Sequence, residues 1–177
     1  MQFDPAAYGS AVAELLALDN GGQRLMPLTS GACSSAEAAS RLRGSTLPPA
    51  VRAGLWVYFS AFDEAHSIAQ DLPTAEGSYW HAILHRQEPD ASNSRFWFNQ
   101  VGRHVIFDAL AAAAREIASF YPEAGWKPPV AWDPSVFVRC CDAARRAPGS
   151  PLERMALEIQ RAEWWLLFDH CARPAHL

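Results

Sequence analysis

Residues 150–170 read SPLERMALEIQRAEWWLLFDH, and this stretch sets the class of fold. Ser150 stands before Pro151, with Glu153 three residues on. A hydroxyl cap, a proline whose missing N–H costs nothing in the first turn and the reciprocal acid of a capping box together start a helix. From there Leu152, Met155, Ile159, Glu163, Leu166 and His170 recur at intervals of three and four, which is one stripe of an α-helix. Two of them do not belong on an apolar stripe. A glutamate there is rarely left unpaired, so Glu163 is expected to be buried against an arginine or histidine of another helix, or against a metal. His170 is the second anomaly.

The rest of the chain follows the same grammar. Asp4-Pro5 opens a first helix that ends at Asn20-Gly21-Gly22. Ser34 with Glu37 reads as a capping box for a short second helix, and Pro48-Pro49 start a third that runs to about Asp71. Thr74 caps a fourth, which stops near Glu88 because Pro89 disfavours helix before it. Asp90 caps the next, which runs toward Val101 and, if Gly102 is tolerated, on to His104. Another helix reaches about Phe120. The Pro-rich stretch 121–133 is a loop pinned by Trp126, Val130 and Trp132, and Asp133-Pro134 opens the helix before the last. No period-two strand pattern occurs. The expectation is an all-α, single-domain bundle spanning residues 1–177, of seven or eight helices with antiparallel neighbours.

Composition narrows the function classes. Fifteen basic against nineteen acidic residues give a net charge of −4, without the basic excess that neutralises phosphates, so no nucleic-acid partner is expected. Met1–Asn20 lacks the basic and apolar regions of a signal peptide, and no apolar run is long enough to span a bilayer, so neither export nor a membrane is expected. The four cysteines, Cys33, Cys140, Cys141 and Cys171, form no C-x-x-C pair and read as reduced thiols of a cytoplasmic protein. Arg139, Arg145 and Arg146 flank Cys140-Cys141 and could lower a thiol pKa, although core packing is the preferred role.

No nucleophile elbow or Gly-rich phosphate loop occurs, and without such a loop Asp63-Glu64-Ala65-His66 is not a helicase box. On a continuous third helix, Leu55, Phe59, Phe62 and His66 form one stripe, with Asp63 in reach of the imidazole. His81 and His85 are four apart and project from one helix face, a workable chelate for a divalent ion. Arg86, Glu88, Asp90 and Asn93 follow at once. Asn93, Trp97, Val101, His104 and Asp108 then form a further stripe, provided that Gly102 leaves the helix unbroken.

The run Glu76-Gly77-Ser78-Tyr79-Trp80-His81, then His85-Arg86, Glu88, Asp90, Asn93, Phe96-Trp97-Phe98 and Val101-Gly102-Arg103-His104, resembles a block shared by a family of uncharacterised bacterial all-helical proteins. Asp63-Glu64 and His66 fit the same pattern, and Val105 stands where that pattern has a proline. The family carries no established activity, so the resemblance implies a helical fold and singles out residues without naming a reaction.

Two functional expectations follow. In the first, His66, His81, His85, Glu88 and His104 converge in a polar pocket, with Glu163 or His170 joining from the last helix. The histidines and Glu163 would ligate a divalent metal, Zn, Fe, Ni or Cu. Alternatively, a small polar ligand would be held by Arg86, Asp90, Asn93 and Trp97, with His81, His85 and Glu88 as acid–base groups of a catalyst. The second expectation is a non-catalytic module whose tryptophan-rich surface meets a protein partner, the histidines being structural. The first needs these side chains within bonding reach of one another. The second needs them dispersed beside an exposed apolar patch.

Overall fold

The computed structural model describes residues 3–173. Among them are nine α-helices and no strand: α1 (Ser10–Ala17), α2 (Ala36–Arg43), α3 (Pro49–Tyr58), α4 (Phe62–Asp71), α5 (Ala75–Gln87), α6 (Ala91–Val101), α7 (Phe107–Ser119), α8 (Pro134–Arg145) and α9 (Pro151–Ala172). The caps explain most of these starts. Thr74 Oγ1 accepts from the Gly77 N–H at 3.2 Å and Asp90 Oδ1 from the Asn93 N–H at 3.0 Å. At α9, Ser150 Oγ accepts from the Glu153 N–H at 3.2 Å while Glu153 Oε2 accepts from the Gly149 N–H at 2.6 Å. The cap of α2 is Ser35 rather than Ser34, whose hydroxyl instead donates to Asp19.

The expected third helix is two helices, which raises the count to nine. Ser60 adopts φ 58°, a left-handed conformation that ends α3 and redirects the chain into α4. Arg24 supports this break from outside: its guanidinium donates to the Tyr58 carbonyl and, at 3.0 Å, to Ser60 Oγ. The first expected helix is also divided, into a 3-10 turn at Pro5–Tyr8 and α1.

α9 organises the core. Its first half buries Met155, Ala156 and Ile159 against Leu110 and Ala114 of α7 and Phe137 and Cys141 of α8. Its second half buries Trp164, Leu167 and Phe168 against α3 and α5. Each such large apolar side chain contributes roughly 1.5–3 kcal/mol on burial. The indole N–H of Trp164 donates to the Gly54 carbonyl at 2.8 Å, and that of Trp165 to the Gly22 carbonyl at 2.7 Å. Neither tryptophan is exposed, and among the described residues no tryptophan is exposed.

One close approach positions the histidines. A Cβ at Gly77 would fall 2.2 Å from the Leu72 carbonyl oxygen, so only glycine allows the turn that folds α5 back along α4. No helix among the described residues is long and apolar enough to cross a membrane. The four cysteines are free. Burial pushes the Cys140 and Cys141 thiols up, outweighing the opposing effect of Arg86, so the arginine-flanked pair is not an activated thiol.

Candidate metal centre

The α4–α5 turn brings His66 onto the helix face that carries His81 and His85. The Nε2 atoms of His66 and His81 lie 2.9 Å apart, and one ring nitrogen from each of the three histidines lies within 4.8 Å of the others. His81 and His85 stack with ring centroids 4.7 Å apart, while His66 meets both edge-on. Trp97 of α6 covers His81 at 4.0 Å and 22°, and Phe62 backs His66. α6 is braced against α5 by the buried Ser94 hydroxyl, which donates to the Ala82 carbonyl at 2.8 Å.

The proton positions follow from the partners. Glu88 Oε2 lies 3.0 Å from His85 Nδ1. A carboxylate only accepts, so Nδ1 carries the proton, and in the neutral ring Nε2 keeps its lone pair. The Asn93 amide nitrogen stands 3.3 Å from Nδ1 and 3.1 Å from Nε2 of the same ring. An atom so nearly equidistant from both nitrogens cannot lie in the ring plane without striking Cε1. Asn93 therefore faces the ring and leaves the Nε2 lone pair free. Between His66 and His81, one Nε2 carries a proton and the other receives it. His81 Nδ1 is buried without a partner among the described residues. Burial, reinforced by His66 and His85, lowers the His81 pKa to about 4, so this imidazole is neutral at ordinary pH.

The remaining predicted residues separate into three places. Asp90 caps α6. Arg86 and Glu163 form a fully buried ion pair at 2.5 Å, away from the histidines, with the Tyr79 hydroxyl donating to Glu163 Oε1 at 3.1 Å. Burial opposes the guanidinium charge, but Glu163, together with Cys141 and Tyr79, more than restores it. The Phe137 ring packs beneath the guanidinium, 4.7 Å from its carbon. Arg86 is thus committed to Glu163 rather than to a ligand or to Glu88, and Glu163 is paired with an arginine rather than a metal.

His104 and His170 do not join the first three histidines either. Gly102 ends α6 at φ 63° and ψ −132°, so the stripe from Asn93 to His104 is not continuous. The chain turns and brings His104 to His170 and Glu76 instead, the three offering ligand atoms within 4.8 Å of one another. Glu76 was missed by the sequence reading. Its only signal was its place in the same block as His81, because a first-turn acid is ordinarily assigned to the helix dipole.

The cavities of roughly 260 to 480 Å³ are lined by other residues, for example Arg115, Tyr121, Trp126 and Lys127 around one of about 420 Å³. The three imidazoles pack on one another and on aromatic rings. Comparisons with family models, curated proteins and solved structures give no match.

Proposed function

We propose that this chain, folded as one all-α domain of the cytoplasm, binds a divalent transition metal through the Nε2 atoms of His66, His81 and His85. The observation that carries this reading is the meeting of three imidazoles from two helices, one of them oriented by a carboxylate at 3.0 Å. Ligand nitrogens on one zinc ion lie about 3.3 Å apart, given metal–nitrogen bonds of about 2.0–2.1 Å. His66 and His81 stand at 2.9 Å, so the rings need part by only a few tenths of an ångström. Three protein ligands leave a fourth position for water or a small polar ligand, which is how catalytic sites of this metal class are built. The resemblance to the helical family singles out these same residues and is part of the proposal. The interaction-module reading loses its main support, since no tryptophan is exposed among the described residues.

The test counts bound Zn(II) by calorimetric titration of the full chain. His81→Ala/His85→Ala is expected to lose one equivalent, and so is His66→Ala, whose half-buried ring is the least disruptive to remove. Circular dichroism verifies that each variant is folded. An unchanged equivalent count in folded variants overturns the reading.

A further inference from the structure

We propose that Glu76, His104 and His170 form a second, separate site for a divalent transition metal. The proposal does not depend on the first centre, because no residue is shared.

The three ligands come from distant parts of the chain. Glu76 lies in the first turn of α5, His104 in the turn after α6, and His170 in the last turn of α9. The turn that begins at Gly102 drives His104 inward, where its side chain is only 4% exposed and its ring meets Tyr79 edge-on at 5.3 Å. Its Nε2 is buried and has no hydrogen-bond partner among the described residues. A buried ring nitrogen left unpaired is costly, and it calls for a ligand. The atom faces Glu76 Oε1 at 3.8 Å, and His170 Nε2 lies 3.1 Å from the same oxygen. The first distance is too long for a hydrogen bond. Both suit two ligands of one ion, whose donor atoms are about 3–4 Å apart when each bond is about 2.0–2.2 Å.

His104 Nδ1 accepts from the Ile106 N–H at 3.4 Å, a long contact. Metal at Nε2 places the proton on Nδ1 and gives up only that contact. Two imidazoles with one carboxylate select zinc, iron, cobalt, nickel or copper over magnesium or calcium. Glu76 and His170 are partly open to solvent, which supplies the entry path and leaves coordination positions free. An ion here would tie the end of α9 to the start of α5.

Zn(II) titration of the full chain tests this separately from the first centre. Wild type is expected to bind two equivalents and His81→Ala/His85→Ala one. Adding His170→Ala to that variant removes the last. Glu76→Gln, at a partly exposed position, loses one equivalent with the helical circular dichroism unchanged. If Glu76→Gln and His170→Ala each bind as many equivalents as wild type, the second site is overturned whatever becomes of the first. If His81→Ala/His85→Ala, still folded, binds none, the second site is likewise overturned. If that variant instead binds as many equivalents as wild type and Glu76→Gln binds fewer, the second site stands and the first falls.

Discussion

His85 and Arg86 are consecutive residues of α5, both buried, and they enter two polar regions of opposite character. Arg86 carries a permanent charge into the core, where Glu163 cancels it at 2.5 Å, Gln160 Oε1 accepts from the guanidinium and Tyr79 donates to the glutamate. His85 belongs to a cluster of three imidazoles, in which burial depresses the pKa of its neighbour His81. A buried ion pair is closed in charge, since each partner neutralises the other, although Arg86 Nε and Nη1 have no hydrogen-bond partner among the described residues. An imidazole in its neutral form keeps a lone pair that a proton or a metal can use. On the proposed reading, adjacent residues on one helix serve stability and binding respectively, and the two roles separate experimentally.

The largest effect is expected where the closed pair is opened. Arg86→Met leaves Glu163 buried and uncompensated and should cost about 3–5 kcal/mol in urea denaturation. Arg86→Met/Glu163→Leu removes both charges and should recover most of that loss. Metal binding at the histidines should persist in the double variant. Equal destabilisation by the single and double changes would show that packing, not charge, holds this region.

An intermediate effect is expected from acid. The unfolded chain protonates His81 near its ordinary pKa of 6.5, whereas the folded chain resists until about 4. Between these values the unfolded state binds more protons, so stability rises with pH there. The contribution is complete above pH 6.5 and is lost as the pH falls toward 4, on the order of 2–3 kcal/mol. His104, also lowered, acts in the same direction, so the informative quantity is the difference between wild type and His81→Gln. Parallel stability curves for the two proteins from pH 7 to 4 would mean that water reaches His81 and its charged form is tolerated.

The two regions also differ in how far the sequence revealed them. The shared face of His81 and His85 is a consequence of helix period, and the anomaly of Glu163 on the α9 stripe announced a buried, partnered acid. Its partner lies 77 positions away in sequence, beyond any local pattern. Two breaks depart from the expected helices. Nothing in Tyr58-Phe59-Ser60-Ala61 resembles a turn signal, yet Ser60 takes a left-handed conformation held by Arg24 and divides the expected third helix, with His66 on its second part still meeting His81. Gly102 was a visible ambiguity, and its φ of 63° moved His104 from the first cluster to Glu76. Helical class depended on caps and periodicity, which are local. The grouping of the histidines depended on how the helices turn between them, which is tertiary.

The smallest effect is expected at Glu88, and it tests the orienting role that distinguishes a binding cluster from a packed one. Glu88 is 48% exposed, so its pair with His85 contributes little to folding, and Glu88→Gln should change the stability of the metal-free protein by no more than about 0.5 kcal/mol. The glutamine side chain still offers an oxygen to the His85 Nδ1–H, so the tautomer is retained. What disappears is the negative charge that makes the opposite nitrogen more basic. Loss of such a carboxylate partner typically weakens metal binding about 10- to 100-fold, and retention of the hydrogen bond places this variant near the lower figure, about 1.4 kcal/mol. Competition titration of Zn(II) in the Glu76→Gln background reads the first centre alone. Unchanged affinity would reduce Glu88 to a surface partner of His85. A loss of stability in the metal-free protein larger than the loss of affinity would place Glu88 with Arg86, among the groups that hold the fold.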